Sequence, residues 1–563
     1  MMVFNKLIVF LITYLYHIRC SEGLKCGHSE LQKTIEIKTT DLGSYSERFL
    51  KTAEWEPIRI YIDYTNLNSQ LGMVSATLIN NLKNTMFQAV YFIQQLINVK
   101  RTASPLLIKS CNSNISISSQ VSQIGVTADL VIFPYFDIIY DDSPEAASAV
   151  CNVDLSTGRP LAGFIGFKKD FDFTKINALF DKTVRAMHQL THILGFSGYM
   201  FGSFIDNNGN KQPYNKIVTS SNVNGKHVQM IKTPKVLSIA RNYFNCPSLI
   251  GVELEDQGGA KIPGSHWESR IMYGDYMIGT EIAENVISEI TLGLLEDSGW
   301  YQANYYTGGL FRFGKQKGCS FLNSQCVNNN QTTFSNEYPI TQGQAYTCFA
   351  GRTAKGIADL ISNPNPLPTW FQYYSDPTYG GFELADFCPV TVDYDMYGWY
   401  DAGSCSMGQS TYAPGLGETI GSDSSCFYSS LTYINDTSLN SYTNVTLPVC
   451  FEIACNYTKM SYDVYIRDVT FDCSSAGGAI SVSGFDGTFY CADFNLVCTQ
   501  TVQCGNVLNC IAKQSLLVEP NYDYVPQDSV ETIDLNSFTL DSINLSYSLF
   551  TVLLAIFVIM FEG

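Results

Sequence analysis

His188-Gln189-Leu190-Thr191-His192 sets the tightest limit on what this chain can fold into. Two histidines four residues apart fall on one face of a helix, so both imidazoles can reach a single ion. Ile176, Phe180, Val184, Met187 and Thr191 recur at helical intervals along the same run. This pattern predicts a helix from about Phe173 to Leu194. Gly195 follows, where a helix can turn out through a left-handed residue.

A third ligand is needed, because a catalytic zinc takes three protein ligands and keeps one position open. The chain has six histidines. His17 and His28 lie near the start, which leaves His188, His192, His227 and His266. His227 falls in a polar Asn-Gly-Lys-His turn, so His266 is the better third donor. Together these residues point to one Zn2+ held by His188, His192 and His266.

The rest of the chain indicates the compartment. Net charge is −18, with too few Lys and Arg to clamp phosphates, so a nucleic-acid partner is excluded. Eighteen cysteines without a repeated C-x2-C pair read as a disulfide framework, and ten of them lie between Cys388 and Cys510. Residues 1–23 have the basic start and apolar core of a signal peptide. Their removal takes Cys20 away and leaves an odd number of cysteines, so one thiol stands outside the intramolecular pairs. Leu549–Phe561 is an apolar tail behind the polar spacer Thr539–Ser548. Residues 538–563 therefore read as a GPI-attachment signal, with a single C-terminal transmembrane anchor as the alternative. Either places the protein at a membrane surface with extracellular proteins or peptides as partners. Sequons at Asn114, Asn330, Asn435, Asn444 and Asn456 fit a glycosylated exterior.

In chain order, residues 24–50 are a polar leader. The folded body begins near Trp55. Strands are expected at Ile58–Tyr64, Leu130–Phe136 and Pro160–Phe167, the last near a sheet edge because of Pro160 and its glycines. A helix is expected over Met73–Val99. Residues 198–262 show no regular period and read as an insertion. Ile287–Asp297 is a compact helix stopped by Ser298-Gly299-Trp300. Beyond about 386 the chain is cysteine-rich and β-dominated.

The two histidines and Gly195 resemble the zincin helix H-E-x-x-H and its metzincin extension. A wider set of motifs is more specific: His188-x-x-x-His192-x-x-Gly-Phe-Ser-Gly198, Glu255-Asp-Gln-Gly-Gly259, Gly264-Ser-His266, Met277, Leu294-Leu-Glu-Asp-Ser-Gly-Trp-Tyr301 and Gly318-Cys-Ser-Phe-Leu-x-x-x-Cys326. Together they resemble leishmanolysin, the surface zinc metalloendopeptidases. The resemblance implies an α+β protein in three parts. Residues 51–198 would form the metzincin-like catalytic domain. Residues 199–385 would form the insertion and a mostly helical central domain with His266 and the turn of Met277. Residues 386–537 would form the disulfide-rich C-terminal domain. It also implies proteolysis and adhesion at the cell surface. Cys26-Gly-His28 resembles the Cys-x-His of the family's pro-segment, which makes 24–50 a short pro-segment and Cys26 a latency ligand.

One residue departs from the pattern. The general base of a zincin is a glutamate, which takes the attacking water's proton and hands it to the leaving amine. Gln189 stands in its place. An amide can hold the geometry but carries no proton at neutral pH, and general acid–base catalysis is worth roughly 10²–10⁴-fold. The sequence therefore predicts an intact zinc site with impaired peptide hydrolysis, a pseudoenzyme. The alternative is an active metalloendopeptidase cleaving extracellular proteins. Asp275, where the resemblance implies Glu, is a milder change.

Overall fold

The computed structural model describes residues 26–42 and 54–498, apart from 102–103, 138–144, 170–177, 224, 260–261, 281, 306–310, 333, 393–402, 406–415, 422, 435–444 and 475. The signal segment 1–23, the tail 538–563, Cys504 and Cys510, and the first turn expected of the histidine helix (173–177) lie outside the described residues. Among the described residues no helix is long and apolar enough to cross a membrane.

The first half is built on one mixed five-stranded sheet. In chain order its parts are α1 (His28–Thr34), β1 (Lys38–Thr40), β2 (Ile60–Ile62), α2 (Ala76–Leu96), β3 (Leu130–Asp137), β4 (Ala146–Asp154), β5 (Pro160–Lys168) and α3 (Ala178–Leu194). The strand order is β1-β4-β5-β3-β2. Only the β4–β5 pair is antiparallel. β3 and β5 are apolar almost throughout and buried on both faces, as central strands must be. α2 starts at Ser75, whose side chain accepts from Leu78 N.

β5 is therefore central, not near an edge. Pro160 is harmless there because it is the strand's first residue. The glycines serve close packing. A Cβ on Gly163 would stand 2.8 Å from carbons of Ile193 on α3, and one on Gly166 would stand 2.7 Å from the Tyr135 ring. Strand glycines often mark such an approach. α3 packs on β4 and β5 and against α2.

The leader is part of this sheet. β1 pairs in parallel with β4, Lys38 opposite Asn152 and Thr40 opposite Asp154. α1 packs on the same strand. Leu31, Ile35 and Leu42 lie against a core that includes Val131, Phe133 and Phe164.

Residues 198–262 are more ordered than their lack of period implies. They form a hairpin of β6 (Val218–Val223) and β7 (Lys226–Ile231), then α4 (Pro234–Phe244) and β8 (Val252–Glu253). Val223 pairs with Lys226, and Asn224-Gly225 is the sequence between them. Asn-Gly is the strongest short-range signal for such a hairpin. His227 sits on β7, exposed. The helices expected in the central part are present as α4, α5 (Ser269–Met272) and α6 (Glu289–Asp297), interleaved with short strands. α6 is capped by Ser288, which accepts from Thr291 N.

The C-terminal part is an antiparallel six-stranded sheet, β9 (Ser424–Ser429), β10 (Leu447–Asn456), β11 (Ser461–Ile466), β12 (Val469–Cys473), β13 (Ala479–Ile480) and β14 (Phe489–Tyr490). Its order is β12-β11-β10-β9-β14-β13. Seven disulfides link the described cysteines: 111–151, 246–319, 326–388, 348–426, 405–450, 455–498 and 473–491. Cys26 takes part in none of these.

Candidate metal centre

The sheet, α3 and the loop before α5 bring three imidazoles to one point. His188 and His192 come from the last two turns of α3, and His266 comes from the loop. The Nε2 atoms lie 2.9 Å (His188–His192), 3.2 Å (His188–His266) and 3.2 Å (His192–His266) apart. Three ligands at about 2.0–2.1 Å from a tetrahedral ion would lie roughly 3.3 Å from one another.

Each ring is held from behind. His188 Nδ1 donates to the Tyr276 carbonyl at 2.7 Å, His192 Nδ1 to the Phe196 carbonyl at 2.7 Å and His266 Nδ1 to the Ile262 carbonyl at 2.8 Å. A proton on Nδ1 leaves Nε2 as a lone pair, so three lone pairs face one another. Burial, then the neighbouring imidazoles, pushes His192 well below the usual histidine range, and burial does the same for His266. The neutral ring is the metal-binding form. This donor set fits a divalent ion.

The turn of Met277 is tied to both ligand-bearing segments. Tyr276 offers its carbonyl to His188 and its hydroxyl lies 2.8 Å from Thr191 Oγ1. Trp267 N donates to the Met277 carbonyl at 3.0 Å. Asp275 closes the turn, accepting from Met277 N at 2.7 Å and from Thr291 Oγ1 at 2.8 Å. The shorter Asp thus reaches all its partners. Met277 is wholly buried.

Cys26 completes the group. Its Sγ lies 3.4 Å from His192 Nε2, and one ligand atom from each of Cys26, His188, His192 and His266 falls within 4.8 Å of the others. Gln189 faces the same sulfur: its Nε2 donates to Sγ at 3.1 Å. Gln189 Oε1 is buried with no hydrogen-bond partner among the described residues. His28 stacks flat on His192, with centroids 4.1 Å apart, and bridges the Ser148 carbonyl and Ser197 Oγ.

Glu268 does not substitute for the missing base. Its carboxylate belongs to a separate cluster with buried Glu255 and half-buried Asp256. Lys226, at the start of β7, enters that cluster and contacts Asp386 at 2.7 Å, Asp256 at 3.2 Å and Glu268 at 3.3 Å. Burial opposes the Lys226 charge, but the carboxylates of Glu268, Asp386 and Asp256 outweigh it and raise its pKa. Arg270 adds Glu253 and Asp386. Glu255 takes Ser269 N and Oγ with its carboxylate, and its own N donates to the His266 carbonyl at 2.9 Å. The insertion is thereby fastened to the His266 loop. Spacing gives no sign of this network; the Asn-Gly pair that precedes Lys226 is its one local signal in the sequence.

A mixed sheet carrying a helical histidine pair, completed by a histidine and methionine turn from a following segment, defines a metzincin-like peptidase domain. The family model described as leishmanolysin matches residues 77–507. The chain belongs to the leishmanolysin peptidase family. It is 30% identical over 316 residues to a leishmanolysin homolog of Crithidia fasciculata, covering 55% of this chain and 46% of that protein. It is 30% identical over 296 residues to a leishmanolysin-like peptidase of Drosophila melanogaster, covering 44% and 43%. Against leishmanolysin of Leishmania donovani it is 29% identical over 333 residues, covering 57% and 52%. The chain spans about half the length of the curated relatives it matches.

Proposed function

We propose that this chain is a surface protein of leishmanolysin fold that holds one Zn2+ on His188, His192 and His266 over the turn of Met277, with peptide hydrolysis impaired by Gln189. The converging Nε2 atoms with an amide in the base's position carry this reading. A bound zinc would supply Lewis acidity toward a peptide carbonyl. The chain's own residues would orient the three rings through the carbonyls of Tyr276, Phe196 and Ile262. The proton would have no carrier at Gln189, because an amide neither takes nor gives one near neutral pH. Cys26 is the candidate latency ligand, and 24–50 the segment that brings it.

Localisation is proposed on residues 1–23 and the tail: entry to the secretory pathway and attachment through a GPI signal, or through a single C-terminal span. The seven disulfides support an oxidising compartment. The partners are extracellular proteins or peptides, bound for adhesion or, under the second reading, cleaved. That second reading, an active metalloendopeptidase, is favoured by the otherwise complete ligand set.

The deciding experiment is a peptidase assay of wild type beside Gln189→Glu, with zinc measured on both. Zinc in both and turnover only in the variant is expected. Chelator-sensitive turnover by wild type would overturn the impaired reading.

A further inference from the structure

We infer that Cys26 goes beyond a removable latency cap and is a permanent fourth protein ligand of the metal centre, and that Gln189 is the positioning residue that keeps it there. The inference rests on the reading of the three histidines as a zinc site. It turns that site from an open catalytic centre into a closed one of three nitrogens and one sulfur.

Four observations carry it. The first is position. A tetrahedral zinc with Zn–S near 2.3 Å and Zn–N near 2.0–2.1 Å sets sulfur and nitrogen roughly 3.5 Å apart, and Cys26 Sγ is 3.4 Å from His192 Nε2. A sulfur ligand there would occupy the position that a catalytic zinc keeps for water.

The second is the chemistry of Gln189. Its amide nitrogen points at the sulfur from 3.1 Å. A metal-bound cysteine is a thiolate, and an N–H donor stabilises it. A glutamate in the same position would set two anions at hydrogen-bonding distance in a buried site. In a zincin with Glu, an ionised base and a thiolate at this distance would repel each other. Gln189 replaces that repulsion with a hydrogen bond. The opposite orientation of the amide would aim a carbonyl oxygen at the thiolate, so the donor orientation is the one the sulfur selects.

The third is the way the leader is fastened to β4. Gly27 N donates to the Ala146 carbonyl at 3.1 Å, and His28 Nδ1 lies 2.7 Å from the Ser148 carbonyl. The Gln32 amide pairs with both N and O of Val150, at 2.7 and 3.1 Å. β1 then continues alongside Asn152–Asp154. The leader thus satisfies the outer edge of β4 over most of its length, so an incoming peptide finds no free strand edge beside the metal.

The fourth is burial across the cleft. Cys26 packs on Ile262 and Leu384 of the opposite wall, and Ser29 Oγ donates to the Pro263 carbonyl. Release of the leader would open a core and a strand edge together.

The test uses the full secreted chain and reads thiol reactivity, not catalysis. Zinc content is measured, and alkylation of Cys26 by iodoacetamide under native conditions is followed by mass spectrometry. Wild type, Gln189→Glu and Gln189→Leu are compared. Wild type should carry zinc and react at Cys26 about tenfold or more slowly than either variant, as loss of one hydrogen bond to a charged group implies. Cobalt-substituted wild type should show a thiolate-to-cobalt charge-transfer band that Cys26→Ser abolishes. Zinc in all three proteins with equal alkylation rates would overturn the role of Gln189. Zinc without the charge-transfer band would overturn the sulfur ligand. No bound metal in any of them would overturn the underlying zinc reading instead. Should Gln189→Glu not fold, Gln189→Leu alone decides, since it removes the donor without adding a charge.

Discussion

Gly163 of β5 and Ile193 of α3 meet with no space for another carbon between them: a Cβ at Gly163 would stand 2.8 Å from two Ile193 carbons and 2.8 Å from the Ala149 carbonyl oxygen. Ile193 follows His192 directly, so this contact sets the height of the histidine helix above the sheet. Gly163→Ala should cost about 1–3 kcal/mol through overpacking and lower metal occupancy with it. Denaturant unfolding and metal analysis of the variant check both. An unchanged unfolding midpoint would show that the helix can lift without penalty.

His266→Ala should weaken metal binding while leaving the sheet intact. It takes one donor from the group and leaves His188, His192 and Cys26. Metal affinity should fall at least about tenfold, read by competition with a chelator. The loss of thermal stability on chelation, expected of wild type, should shrink in the variant. Wild-type affinity in the variant would show that His266 is not a ligand.

Lys226→Met should be the most damaging change outside the histidines. The lysine is the shared counter-ion of Asp256, Glu268 and Asp386. Removing one partner from a buried charge network costs roughly 3–5 kcal/mol. Because Glu255 and Glu268 flank the His266 loop, weaker metal affinity should accompany the loss. A variant that unfolds and binds metal like wild type would make the cluster incidental.

How far the sequence could be read follows from the range of each interaction. The histidine pair, α2, α3 and α6 were legible because helical period and motif spacing are local. The β-rich character of the C-terminal part was legible from its cysteines, although their pairing was not. The central place of β5 is hidden in the sequence because Pro160 and the glycines point to an edge. Their reason lies in Ile193 and Tyr135, which are not neighbours in sequence. The same holds for the leader: nothing in His28–Thr40 announces a strand, since β1 is only three residues long and is specified by the open edge of β4. Gln189 was read as a missing base. That it faces Cys26, 163 residues away, needed the fold.

Catalysis should return most fully when both changes at the centre are reversed. Cys26→Ala alone opens the fourth vertex but leaves no proton carrier. Gln189→Glu alone restores the base and removes the hydrogen bond to Sγ, so turnover should appear but stay below that of the double variant. The double variant should exceed Cys26→Ala by roughly 10²–10⁴-fold in peptide turnover, measured with a quenched fluorogenic peptide. Equal rates in the two would mean that position 189 does not transfer the proton.

Glu284 offers a pH test away from the metal. Its two oxygens accept from Gly351 N at 3.0 Å each, and one also takes Thr353 Oγ1 at 3.1 Å. Burial nevertheless pushes its pKa from 4.5 up to about 7, against the charge of Arg312 and these hydrogen bonds. The folded chain thus holds a proton that the unfolded chain has already released. Stability should fall as pH rises from about 4.5 to about 7 and level off above, by roughly 3 kcal/mol from this group. Asp275, pushed up to about 6 by burial, slopes the same way, so the group is isolated by difference. Glu284→Gln, which keeps the shape and cannot ionise, should gain on wild type across that window and match its trend below pH 4.5. Parallel stability–pH curves for the two proteins would show that Glu284 is ionised in the fold throughout.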